Sequence, residues 1–201
     1  YLCSHNNSNF NHLFQLMWLN YFKRPIDNLG NSSSQVLKII RDYYFKCEWY
    51  EVYDFMEFIA NNYEASYYRQ YSKQDLISFC NKILEREKAG YRFINDLICP
   101  ITSSDEIQEI ESAINNLFAP VGVHLTRSLE LLSNRTAPDY RNSIKESISA
   151  VESLCKIITN KPKATLGEAL KEIEKTIPIH SALKNAFNNL YGFTSDDNGI
   201  R

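Results

Sequence analysis

The side chains best equipped for chemistry lie in the last third of the chain. Arg141, Lys145, Glu146 and Glu152 fall on the polar side of one helical stretch, and Arg201 is the final residue. A guanidinium makes paired hydrogen bonds to phosphate oxygens. A lysine adds a compact positive charge. Glu146 is a candidate to orient Arg201; the plainer reading is that Glu146 and Glu152 solvate the helix. The four histidines, His5, His12, His124 and His180, are the groups suited to proton transfer near neutral pH. His124 and His180 sit near predicted helix starts, where histidine more often serves the structure.

Other chemistries lack their residues. There is no His-Glu-x-x-His, no Gly-rich phosphate loop and no Gly-x-Ser-x-Gly elbow. Cys3, Cys47, Cys80, Cys99 and Cys155 are scattered and never spaced Cys-x-x-Cys. That pattern predicts reduced thiols in a cytoplasmic protein, not disulfides or zinc. Asp196 and Asp197 read as caps for a helix near Gly199, since adjacent carboxylates alone make a poor magnesium site. Neither metal nor cofactor is expected. A net charge of −2 gives no global signal for nucleic acid, although a local basic cleft fits a near-neutral protein. No apolar run approaches about 18 residues, so no membrane span is expected.

The elements that must position these residues are mostly helices. The 201 residues, 44% of them apolar, suit one large domain or two small ones. Apolar steps of three and four predict helices from Phe10 to Phe22, through Val36 to Tyr44, from Glu48 to Tyr63 and from Asp75 to Ala89. Glu48, Glu51, Asp54 and Glu57 form an acidic stripe, read as a solvated face. Gly90 is the expected cap of its helix. Two β-prone runs around Asn95-Asp96 predict a hairpin. Ser103 and Glu106 predict a capping box, and Ala119-Pro120 a break. Ile144, Ile148, Val151, Cys155 and Ile158 make one stripe on a helix with Pro138 in its first turn. Thr165 and Glu168 form a second box. Leu183, Phe187 and Leu190 continue to Gly192, the expected end. The closing Gly199-Ile200-Arg201 reads as the start of another helix in a longer protein. Tyr63, Tyr67, Tyr68 and Tyr71 offer a contact surface or a buried cluster.

Asp139-Tyr140-Arg141-Asn142-Ser143-Ile144-Lys145-Glu146 and the residues to Glu152 resemble the opening helix of the HEPN-type domain in AbiJ-like abortive-infection proteins of bacteria. Ala164 to Leu170, Ile179 to Leu183 and Leu190 to Asp196 continue the match. The first half is similar to the N-terminal domain accompanying it, through Phe22 to Asp27, Glu48 to Phe55, and Leu84 to Glu87 with Gly90 to Phe93. The resemblance implies a mainly α protein: an accessory helical domain with a small β-hairpin over 1–119, then an incomplete HEPN-like bundle over 120–201. It implies an antiphage protein, often a homodimer, that cleaves RNA such as tRNA or mRNA without metal, in response to a phage-derived trigger. Gly199-Ile200-Arg201 matches the point where that family continues with His-Ala. Arg201 and Glu146 are the implied catalytic residues, and Arg141 and Lys145 the implied RNA contacts. The alternative is a non-catalytic module for dimerisation or phage sensing.

Overall fold

The computed structural model describes residues 8–29, 32–63, 72–115 and 118–195. Among these the protein is mainly α-helical with one small two-stranded sheet, as the periodicity predicts. The chain forms two compact units, Tyr1–Ile98 and Cys99–Arg201.

In the first unit, α1 (Ser8–Leu16) does not continue unchanged to Phe22. A π-helical turn, Met17–Tyr21, follows, closed by Phe22 N–H bonding Met17 O at 3.0 Å. The wider turn lets consecutive residues face the interior. Met17 and Trp18 are fully buried there with Phe14, against Val36 of α2 (Ser33–Tyr44) and Phe55 and Phe58 of α3 (Trp49–Asn61). The tyrosine hydroxyls find partners: Tyr21 and Tyr43 hydroxyls bond at 2.8 Å, and Tyr21 donates to Glu51 O at 3.0 Å. Burial, then the Tyr43 bond, pushes the Tyr21 phenol well above its ordinary pKa.

A second cluster joins Ala60 of α3, Ile77 of α4 (Lys73–Arg86), Phe93 of β1 (Arg92–Ile94) and Ile98 of β2 (Leu97–Cys99). The hairpin turns at Asn95, whose φ of 51° lies in the left-handed region Asn tolerates. The acidic stripe is more than a solvated face. Glu48 and Glu51 form the capping box of α3, with Glu48 N–H donating to Glu51 at 2.8 Å. Glu57 accepts the Ile98 N–H of β2 at 2.6 Å. Gly90 does not supply the left-handed residue after α4. Lys88 does, at φ 56°, because Ala89 N–H already bonds back to Leu84 O at 2.8 Å.

The second unit contains α5 (Ser104–Ile114), α6 (Ala119–Ser133), α7 (Tyr140–Thr159), α8 (Leu166–Ile173) and α9 (Ser181–Ser195). Ser103 accepts Glu106 N–H at 3.3 Å. Pro120 sits in the first turn of α6, where the missing N–H costs no bond. Asp139, rather than Pro138, opens α7, and Asn160 ends it at φ 52°. The Thr165–Glu168 box caps α8 as expected. Gly192 does not end α9. The helix runs on because Thr194 is buried and Tyr191 hydroxyl donates to Glu152 of α7 at 3.3 Å. Ile148 and Cys155 of α7 pack with Leu166, Ala169, Leu170 and Ile173 of α8 and with Phe187 of α9. Among the described residues Cys47, Cys80 and Cys155 are free thiols.

Capping carboxylates set an acid response. Hydrogen bonds from the Ser72 backbone, the Asn142 side chain and the Thr165 backbone, in that order, hold Asp75, Asp139 and Glu168 below their usual pKa. Bonds from Lys161 and Lys175 bring Glu172 down to about 2. A carboxylate depressed by folding stabilises the fold above its unfolded value, about 4, and loses that contribution as pH falls through its folded value. Thermal melts followed by circular dichroism are therefore expected to hold steady down to about pH 5 and to fall between about pH 4 and 2. A melting temperature rising across that lower interval contradicts this.

Candidate functional site

The long helix α7 packs against α6, α8 and α9, so each part of its surface meets a different neighbour. Its pairing with α6 is tight because the seam uses small hydroxyl side chains. Ser128 Oγ lies 3.1 Å from Ser143 Oγ and 2.8 Å from Ser147 Oγ, and Ser143 Oγ donates to Ser128 O at 2.9 Å. The helices are antiparallel across a short connection, with Asp139 N–H bonding Leu131 O at 3.1 Å.

One turn before Ser128, that register brings His124 against Glu146. Imidazole Nδ1 and carboxylate Oε2 are 2.7 Å apart. The two side chains are 35% and 25% exposed, half desolvated yet still reachable. His124 Nε2 has no hydrogen-bond partner among the described residues. Lys145, adjacent to Glu146 and half-buried, forms no ion pair among the described residues. Arg141 is exposed one turn before Lys145. Arg141 and Arg127 both lie near enough to Asp139 to help lower its pKa, after the Asn142 hydrogen bonds.

Arg141, Lys145 and Glu146 are thus gathered on one end of α7. Glu152 lies about two turns beyond Lys145, nearly in line with it and about 120° round the helix from Glu146, and it is engaged elsewhere: it receives Tyr191 and pairs with Lys156 at 3.1 Å. Arg201, Asp196, Asp197, Tyr67, Tyr68 and Tyr71 lie outside the described residues. His180 has a capping role, its Nδ1 accepting Ala182 N–H at 3.2 Å. His124, read from the sequence as structural, has Glu146 as its partner, a pairing that reading did not name. A signal was present: His124 lies eleven residues before Arg135 and Glu146 eleven after it, so an antiparallel return about the 134–139 connection brings them level.

The arrangement suits proton transfer beside an anion. A carboxylate orients the imidazole, and the same end of α7 carries Lys145 and Arg141, side chains of the types that bind phosphate. Among the described residues no group of three His, Cys, Asp or Glu side chains is placed to hold a metal ion. No helix among them is long and apolar enough to cross a membrane.

No curated protein and no solved structure matches the chain. One family model does: AbiJ N-terminal domain 4, over residues 3–116. The matched stretch takes in α1 to α5 and the hairpin. The His124–Glu146 pair lies beyond it, in the second unit. With more than half of its length matched, the chain belongs to the AbiJ N-terminal domain 4 family.

Proposed function

We propose that the protein acts in abortive infection against phage and that its second unit is a HEPN-type endoribonuclease working without a metal. Family membership supports the first part. The second rests on the resemblance of Asp139 to Arg201 to HEPN-type domains. The observation that carries it is Glu146, on the helix that also carries Lys145 and Arg141, held at 2.7 Å from the His124 imidazole.

Cleaving RNA without metal requires removing the 2′-hydroxyl proton, stabilising the phosphorane charge and protonating the leaving 5′-oxygen. In this reading Lys145 and Arg141 bind the phosphates, Glu146 orients a proton-transfer group, and Arg201 stabilises the phosphorane. The protein works in the cytoplasm as a homodimer, on tRNA or mRNA, after a phage-derived trigger.

The test combines phage challenge with RNA analysis. Cells expressing the protein are expected to resist phage and to show cleaved tRNA or mRNA on infection. Arg201→Ala is expected to abolish both. Lys145→Ala is expected to weaken RNA binding several-fold and to reduce the salt dependence of log affinity by about one phosphate contact. Intact RNA in protected cells, with full protection by Arg201→Ala, sinks the nuclease.

That outcome favours a second reading, a non-catalytic module for dimerisation or sensing. Its support is on α9, where Leu183, Leu190 and Phe193, at steps of seven and three, are 52%, 43% and 50% exposed. Uncovered apolar rows of this kind mark association surfaces.

A further inference from the structure

His124 has more organisation around it than a surface ion pair needs. It sits on α6, its carboxylate partner on α7, and the Ser128, Ser143 and Ser147 hydroxyls fix the helices beside them. His180, by contrast, uses its ring nitrogen on the helix cap that follows it. His124 uses Nδ1 on Glu146 and keeps Nε2 without a partner among the described residues.

We infer that His124 is a catalytic residue of the second unit: its Nε2 takes the proton from the ribose 2′-hydroxyl, and Glu146 is its positioning residue. This rests on the ribonuclease reading above. A carboxylate accepting from Nδ1–H fixes the neutral ring as the Nδ1–H tautomer, which leaves the lone pair on Nε2. Glu146, 2.7 Å from Nδ1, holds the ring in place through the transfer. Because the serine seam sets the helix pair in advance, little reorganisation is left for the reaction itself.

The step balances without a redox partner. Nε2 accepts the 2′-hydroxyl proton, the 2′-oxygen bonds phosphorus, and the bond from phosphorus to the 5′-oxygen breaks. The leaving oxygen takes a proton from water, and the hydroxide so formed takes the proton from the imidazolium. The products are a 2′,3′-cyclic phosphate and a 5′-hydroxyl end.

The experiment uses the full chain and a fluorophore-labelled single-stranded RNA. His124→Gln keeps an amide able to donate to Glu146, so its melting temperature and its affinity for a non-cleavable 2′-deoxy analogue are expected to stay near wild type. Its kcat is expected to fall at least about 100-fold. Glu146→Gln is expected to lower kcat about tenfold or more with KM little changed. His124→Ala is expected to regain activity when free imidazole is added, a rescue that a bridging role does not produce. Wild-type RNA cleavage with His124→Gln within threefold of it overturns the assignment of His124 and leaves the nuclease standing. Wild-type protein that leaves the RNA whole overturns the nuclease, and His124 with it. Should His124→Gln fail to fold, the imidazole experiment decides: no rescue overturns the assignment.

Discussion

Trp18→Ala is expected to destabilise the first unit by about 3–5 kcal/mol, the usual cost of removing a fully buried large aromatic. Trp18 is 1% exposed and sits where the π-helical turn meets α2 and α3. Three kinds of contact are lost together. The ring leaves a cavity against Phe14, Met17 and Val36. Its Nε1 donates to Pro25 O at 3.0 Å, a bond that pins the chain as it leaves the turn. The Arg24 guanidinium lies 5.4 Å from the ring centroid and loses that face. Trp18→Phe keeps most of the volume and loses the donor, so it is expected to cost about 1–2 kcal/mol. Urea unfolding followed by fluorescence of Trp49, the other of the two tryptophans, measures both. A Trp18→Ala midpoint within error of wild type means that the turn collapses without penalty and that this core is not organised around the indole.

The second large effect is a reversal of sign between two glycines in helices. Gly122 is buried on α6, and a Cβ built there lies 2.7 Å from Ile114 O at the end of α5. That neighbour is backbone, so it cannot rotate away. Gly192 lies within α9, and a Cβ there meets nothing within 4 Å. Alanine in a helix interior gains about 1 kcal/mol over glycine. Gly192→Ala is therefore expected to stabilise the second unit by about that amount. Gly122→Ala must move a helix against a packed neighbour, and overpacking of this kind costs about 1–3 kcal/mol. Its net effect is expected to be destabilising, and Gly122→Val worse. Denaturation midpoints of the pair report this directly. Stabilisation by Gly122→Ala removes the close approach of α5 to α6 as a constraint.

The helices were legible because their apolar residues recur at the helical period and their caps have local signatures. Thr165 with Glu168 and the Asn95-Asp96 turn need only neighbours within three residues, so composition and spacing suffice. The departures have non-local causes. The π-helical turn after Leu16 answers the packing demands of two other helices on Met17 and Trp18. Gly192 stays helical because Tyr191 reaches Glu152 on another element. Glu48 and Glu57, alike in the stripe, divide into a helix cap and a clasp on β2, a distinction that requires knowing where β2 lies.

The same division runs through the site. By itself the amino-acid sequence determined the helical class, most element ends and membership of the AbiJ N-terminal domain 4 family. Those depend on periodicity, local hydrogen bonding and similarity along the chain. Only the tertiary structure decided that Glu146 belongs to His124 while Glu152 belongs to Tyr191 and Lys156. A hydrogen bond between helices survives only if the register is right to a fraction of a turn. That register is set where Ser128 meets Ser143 and Ser147, a contact between residues far apart in the chain that no local pattern encodes.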